Sequence, residues 1–485
     1  MTAAEHATQL ADAALAYAKR LGRASHVEVR WVESERASLT VSGQRVDELS
    51  SARTSGFGVR VLAGGGWGFA STKGEREQDL VRAVDAATAI GLAAGALRRV
   101  VFPQEDARVG AYATPIVEDP FDVPLDAKLG TLLAATARLA AHPAITATDG
   151  YMEWARVTKV LVTSEGTRTT QRFVYTGAGM SCVARADDGV VQRRTYPGFR
   201  GSELAQRGYE HVRALDLPGN AEQLREEAVL LSRADPCPAG RTSIILDSSQ
   251  LALQIHESCG HATELDRALG HEVSLAGGSF LQPGMLGSFR YGAPIVDLTC
   301  DATAEGGLGT LGWDDEGTPA SRTHLVKDGV FVDYLSSRET AHALGRRSTG
   351  AMRADGWSRP PIIRMLNVSL TPGRGSLEEL IADTDDGILL VTNRSWSIDD
   401  LRKDFQFGCE MAWEIKRGKW TRPLRDAVYR GDTPTFWGAC DAICGPEEHR
   451  LWGISTCGKG DPVQAMHVGH GAAPARFHDV AVGAS

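Results

Sequence analysis

Residues 253–266, LQIHESCGHATELD, concentrate groups that can hold a metal and move a proton. His256 and Glu257 begin as in His-Glu-x-x-His, where two histidines four apart on one helix face bind zinc and the glutamate between them is the general base. Here the second histidine is His261, five positions after the first. Five residues of regular α-helix turn a side chain about 140° away from its starting direction. His256 and His261 can therefore meet at one ion only if the helix widens or breaks before His261. Gly260, immediately before it, gives the backbone the freedom to do so. The same residues allow two other arrangements: Glu257 and His261 as an i, i+4 pair on a regular helix, or His256 and Cys259, three apart, as ligands without distortion. Glu264 and Asp266 follow at positions from which carboxylates orient ligand histidines.

A catalytic zinc takes three protein ligands and keeps one position open. The best third candidate is Cys457 in STCGKGDPVQAMHVGHG, between turn residues and beside Lys459, a setting that tolerates a thiolate. His467 and His470 are the alternatives. Their three-residue separation is a ligand spacing, but on a strand an odd spacing sends two side chains to opposite faces.

These groups need elements to position them. The first half alternates helical and strand patterns. Helices are expected through residues 75–97, 124–142 and 220–235, and at the start, where Leu10, Ala14, Tyr17 and Leu21 recur at helical spacing. Strands are expected over 26–43, 147–177 and 179–196, with a glycine-turned hairpin over 56–72. DPCPAGRT, 235–242, is a turn-rich break. Beyond it the chain reads as short strands (243–249, 293–300, 323–337, 387–393, 409–420) with few helices, one of which carries His256. The expectation is an α+β protein: an α/β N-terminal domain over 1–235 and a β-rich C-terminal domain over 236–485 bearing the metal site. A chain of 485 residues exceeds one ordinary core, in agreement with two domains.

A formal charge of −9 argues against general affinity for nucleic acid or anionic membranes. The opening segment contains Glu5 and lacks a basic cluster, and no uninterrupted apolar run of spanning length stands out, so a cytoplasmic location is expected. Eight dispersed cysteines read as small core residues with one or two ligands rather than a disulfide framework. Cys440 and Cys444 lack the second close pair a zinc ribbon needs. GLGTLG, 307–312, matches a dinucleotide-binding glycine pattern, but WDDEGTP follows it where a helix would be required. Asp314, Asp315 and Glu316 in that turn read as solvated carboxylates rather than a cation site, and Arg353, Arg359 and Arg364 as ion pairs on a β surface rather than contacts to a substrate carboxylate or the transition-state oxyanion.

HESCGHATELD, WDDEGTP, RMLN (364–367) and CGKGDPVQAMHVGHG occur in an order that resembles the TldD/PmbA family of metallopeptidases, within it the zinc-bearing TldD-type subunit. The resemblance spans nearly the whole chain and is weakest in the middle of the first half. It implies a barrel-like C-terminal domain, zinc held by His256, His261 and Cys457, and Glu257 as general base. The implied activity is hydrolysis of short or unfolded peptides inside a cavity enclosed by paired subunits, as a homodimer or with a paralogous PmbA-type partner. A zinc-dependent amidase or hydrolase acting on a small aminoacylated or peptidyl intermediate is the alternative. Ser258 and Cys259 stand where apolar residues are usual, and the surroundings of His467 and His470 also depart from the pattern, so peptide preferences do not transfer.

Overall fold

The computed structural model describes residues 1–198, 202–275 and 277–484. Period-two alternation along Ala24–Ser42 and Arg45–Ala63 makes two long strands joined at Gly43, whose φ of 60° suits glycine in a tight turn. They form the centre of an eight-stranded sheet ordered Gly66–Thr72, Arg45–Ala63, Ala24–Ser42, Ile145–Thr163, Arg168–Arg185, Val109–Ala113. All neighbours on that path are antiparallel except the last pair. Two helix pairs cover it. Ala7, Ala11, Ala14 and Ala18 of the first helix share a core with Leu80, Val84 and the strand residues Val29 and Val59. Leu132 and Leu139 pack with Leu217, Leu224, Met152 and Met180 in a second core.

The helix Glu77–Leu97 is long and apolar enough, by length and composition, to cross a bilayer. Arg82 and Asp85 interrupt it, so it is not an uninterrupted apolar run of the kind the sequence reading sought. The structure gives its small apolar residues a packing role: a Cβ on Gly68 would stand 1.9 Å from the Ala87 carbonyl oxygen, and one on Gly66 would stand 2.1 Å from the Gly95 nitrogen. Backbone rests on backbone there, which only glycine permits.

In the second half, Gly240–Leu246, Ala475–Ala484, Ala427–Asp432, Asp404–Lys416 and Asp386–Ile398 pair in a ring that closes on itself, a five-stranded barrel. The expected α+β class with a barrel-like second half is what the chain forms. Individual strands differ from expectation. Residues 293–300 supply only part of the strand Leu298–Asp301, and Ala427–Asp432, Arg450–Lys459 and Ala475–Ala484 are strands without an alternating signal. They are pinned by pairing rather than by one apolar face.

The turn WDDEGTP is not solvated. Asp314, Asp315 and Glu316 are 1%, 1% and 2% exposed. Asp315 accepts from Lys159 Nζ at 2.8 Å and Glu316 from Arg60 at 2.9 Å, both donors rising from the N-terminal sheet. Asp314 accepts from the amides of Glu316, Thr318 and Met352. Cations match Asp315 and Glu316, whereas burial and then the neighbouring Glu316 push Asp314, which meets only amides, well above the usual carboxylate range; the turn locks the second half onto the first. Arg353 and Arg364 also depart from expectation: both are buried and donate to backbone carbonyls instead of to surface carboxylates. Residues 307–312 run through turns, with the Gly309 amide donating to Asn367 Oδ1.

Candidate metal centre

The barrel strand Gly240–Leu246 delivers the chain into the site. Asp247 accepts from the amides of Ser249 and Gln250 and caps the fully buried helix Ser248–Gln254. Gln250 and Gln254 both bond the buried Tyr429 hydroxyl from a barrel strand, which fixes the helix's rotation.

From Ile255 to Gly260 the helix widens into a π-turn, and the amide of His261 donates to the carbonyl of His256. An i→i+5 closure stacks residues five apart, so the spacing that is wrong for an α-helix is right here. The rings of His256 and His261 lie 4.9 Å apart. Gly260 matters for space rather than for flexibility. Its φ of −60° and ψ of −60° are ordinary helical values, but a Cβ would lie 1.9 Å from Met365 Sδ. Thr263 Oγ1 caps the carbonyls of Cys259 and Gly260 as the helix ends.

Cys457 arrives on the hairpin of Arg450–Lys459 and Gln464–Ala472, where the register slips between Ile454 and Cys457. An irregularity of this kind re-aims a side chain. One ligand atom each from His256, His261 and Cys457 lie within 4.8 Å of one another, all three residues buried. The Cys457 Sγ to His261 Nε2 distance is 3.5 Å. Tetrahedral zinc with N and S ligands at ordinary bond lengths sets those atoms about 3.6 Å apart, so the cluster fits the ion.

The outer nitrogens are already occupied. His261 Nδ1 is 3.0 Å from Glu264 Oε2, and His256 Nδ1 is 2.8 Å from His470 Nε2. His470 Nδ1 lies 3.0 Å from the Val368 carbonyl oxygen, which can only accept. That fixes Nδ1–H on His470, leaves its Nε2 to accept from His256 Nδ1–H, and frees His256 Nε2 for a ligand. Burial pushes both His256 and His261 below the ordinary histidine range, so each stays a neutral donor. Burial also opposes a Cys457 thiolate, but the His261 ring beside it and the Arg364 guanidinium outweigh it and hold the thiol below its usual value.

Of the two expected supporting carboxylates, only Glu264 orients a histidine. Asp266 instead accepts from Lys459 Nζ at 2.7 and 2.9 Å. Lys459 thus serves the carboxylates rather than Cys457. Glu257 neither pairs with His261 nor points away; its Oε2 accepts from Arg402 Nη1 at 2.7 Å, and both line a cleft of about 580 Å³ with the three candidate ligands. Cys259 faces the core, accepting from the Tyr291 hydroxyl at 2.9 Å, with its thiol pushed up to about 12 by burial. Ser258 accepts from Trp437 Nε1 on the same side. These two departures from the family pattern therefore lie outside the cleft. His470 backs the candidate ligand His256, and His467 lies elsewhere, its Nδ1 on the Ser455 carbonyl. Arg402 carried no sequence signal, since an isolated arginine in a loop shows no pattern until the fold brings it to a partner.

Family models match along the chain: PmbA/TldA metallopeptidase domain 1 over residues 27–91, the central domain over 118–231 and the C-terminal domain over 239–483. A metalloprotease of Synechocystis sp. is 30% identical over 472 residues, covering 95% of each chain. A metalloprotease of Methanocaldococcus jannaschii is 28% identical over 455 residues, covering 93% of this chain and 96% of its own. The solved structure of TldE from Thermococcus kodakarensis superimposes with a TM-score of 0.75 at 15% identity, covering 98% of this chain and 99% of its own, a likeness of fold. The chain therefore belongs to the PmbA/TldD metallopeptidase family and is a hydrolase of the protease class.

Proposed function

We propose that the protein is a zinc metallopeptidase that cuts short or unfolded peptides, with His256, His261 and Cys457 as ligands and Glu257 as general base. The observation that carries this reading is the π-turn, which converges two histidines five apart on a distant cysteine and sets the intervening glutamate in the same cleft. Zinc held there would supply Lewis acidity toward a scissile carbonyl and make a water in the open position more acidic. Glu257 takes the proton of the attacking water and delivers it to the leaving amine. Arg402 holds Glu257 through one carboxylate oxygen, which fixes its orientation for that transfer. Leu253, Trp396, Ile398 and Ile454 give the cleft apolar walls, suited to side chains of a peptide. Subunit pairing, with a second copy or a paralogous subunit, is part of the proposal; the TldE fold neighbour and the family support it.

Mass spectrometry of a peptide library and of small acylated amines, each incubated with metal-replete protein, tests the reading. Peptide cleavage that disappears on chelation and returns with zinc is expected. Turnover of acylated amines with the peptides untouched would favour the amidase alternative. Light scattering that showed a fully active monomer would remove the pairing.

A further inference from the structure

A second cavity, small at about 80 Å³, lies between the N-terminal sheet and the C-terminal half and shares no lining residue with the metal cleft. Strand register builds one wall. Val32 pairs with Lys159, Ser34 with Val157 and Val157 with Phe173, while Arg36 pairs with Ala155 and Ala155 with Tyr175, so these side chains stand in rows on one face. The opposite wall brings Arg353, Trp313 and His467.

Arg353 is the unusual group. It is 8% exposed, yet among the described residues no carboxylate lies within 4.0 Å of it. Its Nη1 alone is committed, to the carbonyls of Met365 and His467 at 2.9 and 2.8 Å. A buried guanidinium without an anion is costly, because desolvation is not repaid by a counter-charge. Arg36 lines the same cavity and makes one hydrogen bond, from Nε to Ser34 Oγ. The cavity's carboxylates lie beyond ion-pair distance of both, although Asp315 still attracts Arg353 from farther off. Asp315 is held by Lys159, Asp314 accepts three backbone amides, and Asp355 accepts from the Ala465 amide. The resulting positive potential is felt by His467, which burial first and then Arg36 and Arg353 push down to about 3. Around the two cations the lining is apolar and aromatic: Val32, Phe173, Tyr175, Leu311, Trp313 and Met466.

We infer that this cavity binds a small organic carboxylate with an apolar body, its carboxylate against Arg353 and Arg36 and its body against the aromatic wall. A C-terminal peptide carboxylate and a free organic acid share that chemistry. The site is independent of the metal and of the proposed ligands.

The test is calorimetric titration of the full chain, stripped of metal by chelation, with isobutyrate, its neutral amide and inorganic phosphate; N-acetyl-leucine, which mimics a peptide C-terminus, against free isobutyrate separates the two sources. One saturable site per chain for the acid is expected, with the amide and phosphate each at least about tenfold weaker. Arg353→Gln and Arg36→Gln should each weaken the acid by about tenfold or more. Equal binding of acid and amide, phosphate competing as well as the acid, or binding that requires the metal would each overturn the inference. If Arg353→Gln fails to fold, Arg36→Gln decides: a tenfold loss upholds the site and unchanged affinity removes it.

Discussion

HESCGHATELD and WDDEGTP look alike as sequence, each a short run of acidic or metal-competent groups beside a glycine, and both are buried in the fold. They differ in where the lone pairs go. In WDDEGTP every carboxylate is met by a cation or a backbone amide, and only the Thr318 hydroxyl is left over. In HESCGHATELD the outer nitrogens are occupied by Glu264 and His470 while the inner ones converge with a distant thiol. Matched burial makes a joint between two halves of a protein; burial with convergent spare donors makes a place for an ion. Charge density alone distinguishes nothing.

The largest expected effect comes from Glu257. Glu257→Gln should keep the metal and the fold while turnover per bound zinc falls by about 10²–10⁴-fold, since the amide cannot accept a proton. Near wild-type turnover normalised to metal content would take the glutamate out of the mechanism. Loss of metal instead would move it to the structural side of the comparison.

Breaking the matched turn should do the reverse. Lys159→Met leaves Asp315 buried with only Arg30 near, at 3.7 Å, and should destabilise by about 3–5 kcal/mol with metal stoichiometry unchanged. The effect carries a pH signature. Burial raises the Asp315 pKa, but Lys159 and Arg30 outweigh it and hold the group below its ordinary 3.8. Its stabilisation is therefore present above 3.8 and fades as pH falls through the lower folded value. Denaturant melts of wild type and Lys159→Met at pH 7 and pH 3 should converge at the acid end; a constant gap would show that the pair does not act through charge.

Glu264→Gln and His470→Ala ask whether the groups behind the histidines matter. Each should weaken zinc binding about 10–100-fold in competition with a chelator. Unchanged affinity would mean that the π-turn alone orients the rings.

A third kind of buried acid sharpens the contrast. Glu203 is 7% exposed, and its Oε2 has no hydrogen-bond partner among the described residues. Burial lifts its pKa from 4.5 to about 7, against a smaller pull from Arg450. The protonated form is favoured in the fold, so its relative stability is full below 4.5 and is lost as pH rises through about 7. Glu203→Gln should stabilise the protein at pH 8 by roughly 1–3 kcal/mol and change little at pH 4. Equal effects at both pH values would show that the carboxyl is not titrating there.

Much of this was legible in the residues. The long N-terminal strands declare themselves by apolar and β-branched runs bounded by glycine turns, and the helices over them by helical spacing. The barrel strand Ala475–Ala484 does not, since ARFHDVAVGA lacks alternation and is held by neighbours on both sides. His256, Glu257 and His261 could be proposed as one unit, and the five-residue spacing itself demanded a distorted helix. The choice among Cys457, His467 and His470 was not decidable from spacing, because ligand direction depends on a register slip at Ile454 and on the carbonyl of Val368.

The sequence by itself determined which donors exist, the local periodicities, and the geometric contradiction that only a widened turn resolves. The tertiary structure decided which donors meet. It brought Cys457 to His261 across 196 residues, turned His470 from candidate ligand to support for His256, set Arg402 on Glu257, and buried three acids that composition places in water. The reason is physical. Residue type fixes what a group can bond, while packing, such as Met365 against Gly260, fixes the few ångströms and the exposure that settle what it does bond.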